Sequence, residues 1–346
     1  MKYFKTDPSR WCRLLLAGGV SAFLVMSTAC RTTDPVPVPE PMAKPEVVRV
    51  PTPQQRRQID SANVAASEGE YSVAVRLFED LLDENPSLTL AYLGLGNVYV
   101  DIGELGKAEP AFARAARLEP GNFDAQFGHG EVLQMLDKLV QAVRAYQRAL
   151  AVKPDSVQVL VNMTGAYLRL DMPRSAMAAA RRAVELAPED GRARADLGTA
   201  YQQEGFFEDA IEQYEMALEL LDTDPRVVRN LVECYSEADR FTEAANAGLV
   251  LVKIDPTPET WERLGRSHFR TGDYEASLDA YRQAVDLDPD FWPALNGIGV
   301  NELNRWISGD RQDTEARNVA AEAFRASLRA NPDQPKVVRL ITTYGL

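Results

Sequence analysis

The chain has 346 residues, room for two ordinary domains or one long repeat array, and its 45% hydrophobic and 26% charged residues exclude a wholly disordered chain. A net charge of −13 repels phosphate over most of the surface and argues against nucleic acid as a partner. Cys12, Cys30 and Cys234 are too few and too scattered for a disulfide scaffold or a zinc site.

At the N-terminus, the basic MKYFKTDPSRWCR is followed by a 16-residue apolar run, LLLAGGVSAFLVMSTA, and then Cys30. Basic, apolar and then small residues is the order of a secretory signal over residues 1–29, and 16 residues fall short of the roughly 20 that span a membrane. The ending STAC resembles a bacterial lipobox. That resemblance implies an acylated Cys30 as the first mature residue, and Arg31 in place of aspartate implies sorting to the outer membrane, facing the periplasm. Ser27 stands where the family usually has leucine, so cleavage after Ala29, giving a soluble periplasmic or secreted protein, stays open. Residues 30–54 form the linker, with seven prolines between Arg31 and Gln54. A polyproline-like spacer of this length reaches up to roughly 70 Å.

From Gln55 a pattern of glycine, aromatic, small, aromatic, small and then proline returns every 34 residues, as in GEYSVAVRLFEDLLDENP from Gly69 and RTGDYEASLDAYRQAVDLDP from Arg270. Seven of eight units end in proline: Pro86, Pro120, Pro154, Pro188, Pro256, Pro289 and Pro332, with Asp222 the exception. The pattern resembles the tetratricopeptide repeat, two antiparallel helices per 34 residues. This implies an all-α, right-handed superhelical solenoid of about eight hairpins over residues 55–332. Units start at Gln55, Thr89, Phe123, Val157, Gly191, Pro225, Pro258 and Trp292. Glycine at position 8 and alanine at position 20 let the two helices of a unit approach, and aromatic residues at positions 11 and 24 fill the space between units.

Unit four has Pro173 at its turn and Ala180 where an aromatic is expected, and unit six has Gly248 there; either the stack yields at these places or neighbours fill them. Unit eight carries roughly ten extra residues near WISGDRQDTE, of the kind usually tolerated as a surface loop. Residues 333–346 place Val337, Leu340, Ile341 and Tyr344 on one face of a final helix that caps the core.

The chemistry of an enzyme is not assembled. The three G-x-G pairs, at Gly94, Gly128 and Gly297, lack a preceding strand and a third glycine. His129 and His268 have no ligand-spaced companion, so no cofactor, no metal and no catalytic residue is expected. The resemblance implies instead a protein or peptide ligand along the concave wall of first helices, at positions 2, 5, 9, 12 and 13. There the first half offers Leu90, Leu93, Val100, Phe127, Met135, Val161 and Leu168, and the second half Arg226, Arg229, Arg266, Phe269 and Arg270. A partner would lay apolar side chains on the first half and acidic groups on the second, unless the apolar residues pack between units and the arginines pair with Glu233, Glu237, Glu259 and Glu262. The carboxylate clamp of chaperone adaptors is not reproduced. The chain looks like the repeat lipoproteins that assemble secretins or pili or gather cell-wall enzymes. The function expected is therefore a non-enzymatic envelope scaffold, with an accessory subunit of a separate transferase or hydrolase, or a pilotin-like assembly factor, as alternatives.

Overall fold

The computed structural model describes residues 50–346; the expected signal sequence, Cys30 and the expected linker up to residue 49 lie outside the described residues. Within them the chain forms seventeen α-helices and no strand. The first (A) helices are α1 Pro53–Ser67, α3 Thr89–Asp101, α5 Phe123–Met135, α7 Val157–Arg169, α9 Gly191–Glu204, α11 Pro225–Glu237, α13 Pro258–Thr271 and α15 Trp292–Ser308. The second (B) helices are α2 Tyr71–Glu84, α4 Leu105–Leu118, α6 Leu139–Val152, α8 Pro173–Leu186, α10 Phe207–Leu220, α12 Phe241–Ile254, α14 Tyr274–Leu287 and α16 Thr314–Ala330, and α17 is Pro335–Tyr344. Each helix packs on the next, and successive A helices also touch one another, while no two successive B helices do so to a comparable extent among the described residues. The A helices therefore line the inside of the solenoid's curve.

Backbone chemistry sets both joints of the hairpin. Between A and B, position 15 has positive φ in units one to seven, at Gly69, Gly103, Asp137, Asp171, Gly205, Asp239 and Gly272. Glycine, or a short polar residue such as aspartate, tolerates that left-handed conformation best. Between units, the residue before each terminal proline is driven out of the helical region. Asn85, Glu119, Lys153 and Asp288 accordingly cap their B helices with extended backbone.

The ring at position 24 and the glycines around it share one volume. A Cβ on Gly96 would come within 2.7 Å of the Phe112 ring, and one on Gly128 of the next unit within 2.5 Å. Tyr281 is held in the same way between Gly265 and Gly297. The two units without a ring carry a larger residue than glycine at position 8, Thr164 in unit four and Val232 in unit six, and both are buried, as are Ala180 and Gly248. Leu264 of unit seven also leans onto Gly248. In unit six a neighbour thus fills the gap.

The extra residues of unit eight do not form a surface loop, as the sequence suggested. Most extend α15 and α16 to 17 residues each, leaving a short turn at 309–313. Trp306 fixes that turn, donating its indole N–H to the Arg311 carbonyl at 3.0 Å under the Arg311 and Arg317 guanidinium groups. Val337, Leu340, Ile341 and Tyr344 of α17 pack with Leu303, Trp306 and Phe324 at this end of the core.

Candidate functional site

The apolar half of the expected wall is only partly exposed. Leu90 and Met135 are exposed, at 46% and 57%. Val161 is only 4% exposed and belongs to the core. Phe127 is stacked on Phe123 at 5.7 Å and leans on Tyr146, and Leu168 packs into the same cluster. Leu93 and Val100 pack around Phe112 and Val132. The physical reason is the contact between successive A helices, which covers the faces that a single-helix projection leaves open.

The basic half is held by acidic neighbours, mostly other than those expected. Arg226 pairs with Asp224 at 2.9 Å, Arg229 with Asp255, and Arg270 with Asp239 at 3.2 Å while lying over the Phe241 ring. Arg266 approaches Glu262 at 3.9 Å, and Glu233 is taken by Arg263 at 3.3 Å. Phe269 meets Tyr274 edge-on at 5.3 Å, on the second helix of its own unit. Arg266 and Arg270 share a small hollow of about 140 Å³ with Glu233 and Glu237. These pairs are mostly half-exposed, so a partner can displace them at little cost.

The more developed feature lies between α9 and α11, on the inner side. A hollow of about 400 Å³ is lined by Arg192, Asp196, Thr199, Tyr214, Arg226 and Asn230 among others. Arg192, Asp196 and Thr199 come from positions 2, 6 and 9 of unit five, Tyr214 is the ring at its position 24, and Arg226 and Asn230 come from positions 2 and 6 of unit six. Position 6 is glycine in several units, but Asn230 there donates to the Tyr214 hydroxyl at 3.2 Å, over the ring of the preceding unit. Asp196 occupies the same position, yet the ring place of its preceding unit is Ala180, so no hydroxyl meets it. Burial therefore pushes its carboxyl up to about 6, against the pull of Arg192 and Arg226, with no hydrogen bond to offset it. A half-buried carboxylate without a side-chain donor, beside two arginines, can accept N–H groups from a ligand that also carries negative charge. The sequence reading had reached only Arg226 of this group. Arg192, at position 2 of unit five, could have been found by carrying the same positions through every unit; Asp196 could not, because position 6 reads as packing.

Nothing beside this hollow makes a catalytic arrangement. The Cys234 thiol is buried and pushed up to about 12 by burial, which leaves it a packed apolar group. His129 is lowered by burial, although Glu109 lies 3.5 Å away. No group of His, Cys, Asp or Glu able to hold a metal occurs among the described residues. Nor, among them, is any helix long and apolar enough to cross a membrane.

The tetratricopeptide repeat pattern matches residues 258–291 in one form and residues 59–123, 93–157, 166–225 and 195–257 in another, together well over half of the chain. The chain belongs to the tetratricopeptide repeat family. No curated protein matches it in sequence. Among solved structures, a tetratricopeptide repeat protein from Parabacteroides merdae is similar over 79% of this chain and 100% of its own, with 12% identity and a TM-score of 0.52. The pilF protein of Pseudomonas aeruginosa is similar over 58% of this chain and 92% of its own, with 17% identity and a TM-score of 0.50. MamA from Desulfovibrio magneticus covers 49% of this chain and 95% of its own, with 20% identity and a TM-score of 0.47. At such identities the likeness is one of fold. The tetratricopeptide repeat fold is typically a non-catalytic protein-interaction scaffold.

Proposed function

We propose that this array is a non-enzymatic scaffold of the bacterial cell envelope that holds a segment of a partner protein along its A helices, centred on the hollow between α9 and α11. The observation that carries the reading is Asp196, half-buried in the hollow beside Arg192 and Arg226 and held by no side-chain hydrogen bond. An extended peptide supplies what this surface lacks: backbone N–H groups for Asp196 and carboxylates for the arginines, with Leu90 and Met135 as apolar contacts further along the wall. The envelope setting rests on the order of residues 1–30, and the tether on Cys30.

The test is in-cell crosslinking and mass spectrometry of the native chain beside an Arg192→Glu, Arg226→Glu variant of unchanged helical content. Selective loss of one crosslinked protein is expected; an unchanged set of partners would overturn the groove. The anchor is checked separately. Labelled palmitate should enter the native chain and not a Cys30→Ser variant, and a native chain that stays unlabelled and soluble would mean cleavage after Ala29.

A further inference from the structure

Position 11 of the repeat is tyrosine in units two, four, five and six, and each hydroxyl reaches position 25 of the preceding unit. Tyr99 meets Glu79 at 3.4 Å, Tyr167 meets Gln147 at 3.4 Å, Tyr201 meets Arg181 at 3.1 Å, and Tyr235 meets Glu215. In unit eight that position is Glu302, and position 25 of unit seven is Arg282, 4.0 Å away. A glutamate has no ring. Where the ring would wedge between α14 and α15, the structure has a hollow of about 420 Å³, lined by Tyr274, Leu278, Arg282, Asn301, Glu302 and Arg305 among others.

The floor of this hollow is built from buried acceptors. Glu302 is 2% exposed and Asn301 5%. The Asn301 amide donates to the Ser277 hydroxyl and the Gly297 carbonyl, which fixes its orientation and leaves Oδ1 without a donor. Glu302 Oε2 lies 3.1 Å from Arg305 Nη2 as an ion pair, but no donor is in hydrogen-bonding geometry with it. Both arginines are half-exposed and shared with other carboxylates: Arg305 with Asp313 at 3.1 Å and Arg282 with Asp279 at 3.6 Å. Counting Glu275, the carboxylates around the hollow outnumber its guanidinium groups. Burial accordingly pushes the Glu302 carboxyl up, more than Arg305 and Arg282 pull it down. Leaving buried acceptors unpaired is unfavourable, and this floor holds two in a space large enough for a guest.

We propose that the hollow between α14 and α15 is a second binding site, separate from the inner groove, that takes an alkylammonium group with Glu302 as its counter-ion. The ammonium has three N–H donors for Glu302 Oε2 and Asn301 Oδ1. Its apolar stem lies along Leu278 and the half-exposed Tyr274 ring, where a cation is also attracted by the ring face. An anion is disfavoured, because reaching Arg282 or Arg305 means displacing Asp279 or Asp313 and facing Glu302. A lysine side chain of a partner and a free alkylamine share this chemistry.

The test uses the folded array labelled with nitrogen-15, following the Asn301 side-chain amide and the Arg282 and Arg305 Nε–H signals by NMR. The probes are n-butylammonium, an N-acetyl-lysine amide with its side chain free, and propionate, each against sodium chloride at equal ionic strength. Saturable shifts of these signals with both ammonium probes, and none with propionate, are expected. At least tenfold tighter binding of the lysine amide would mark a polypeptide as the source; equal affinities would mark a free amine. Glu302→Gln should weaken binding at least tenfold. Glu302→Tyr, which restores the residue of the other units, should fold and abolish binding by filling the hollow. Shifts that do not saturate, that survive Glu302→Tyr, or that appear with propionate would overturn the site.

Discussion

Replacing Phe112 by alanine is expected to cost about 3–5 kcal/mol, because it empties a volume shared by two units. The ring is 3% exposed, and its two edges lie against Gly96 of its own unit and Gly128 of the next. The opposite change is also unfavourable. Gly128→Ala places a methyl 2.5 Å from the ring, and overpacking of this kind costs about 1–3 kcal/mol. The stronger test is a pair. Gly96→Val with Phe112→Gly copies the Val232 and Gly248 arrangement of unit six, so the double variant should lose less than the sum of its singles by about 0.5–3 kcal/mol. A long array does not unfold in one step, so the readout is hydrogen exchange of amides in α3, α4 and α5 rather than a single midpoint. Strictly additive losses would mean that positions 8 and 24 do not share a volume.

The same pairing explains what could and could not be read from the sequence. The period, the small residues and the terminal prolines are properties of each unit alone, and a one-dimensional pattern carries them; α3, α5, α7, α9, α11, α13 and α15 begin at the residues where the units start. The pairing of a larger position 8 with a ringless position 24, Thr164 with Ala180 and Val232 with Gly248, is equally present in the sequence, but it shows only when the two positions are read together. The surface is another matter. Leu93, Phe127 and Val161 stand at positions that face outward on a lone hairpin, and packing with neighbouring helices covers Val161 and half-covers Leu93 and Phe127. Asp196 stands at a position that reads as packing; its want of a hydroxyl partner follows from Ala180 sixteen residues earlier, and its half-burial from the stacking of α9 on α11. Glu302 was passed over for a similar reason, since an acid on an exposed-looking helix of an acidic protein draws no attention until its place is known to belong to a tyrosine.

Asp196→Asn is expected to make the array more stable at pH 7.5 and poorer at binding its partner. The sign follows from the carboxyl being pushed up to about 6 in the folded chain from an ordinary 3.8. The folded state then holds the proton more tightly than the unfolded one, so the group's contribution is fully present below pH 3.8 and is lost as pH rises through about 6. At pH 7.5 the ionised carboxylate weakens the fold by about 1–3 kcal/mol, and asparagine, of the same shape and without charge, relieves it. Other carboxylates titrate over the same range, so the measurement is the difference between native and variant denaturation curves at pH 4 and at pH 7.5. That difference should open as pH rises. Binding should move the other way: donors from a bound segment restore what Asp196 lost on burial, so the variant should bind at least tenfold more weakly at pH 7.5, about 1.4 kcal/mol. A residue that weakens the fold and strengthens binding is kept for the partner. If the variant gains stability and binds unchanged, Asp196 is a packing fault of unit five, and the groove must be centred on Arg266 and Arg270 instead.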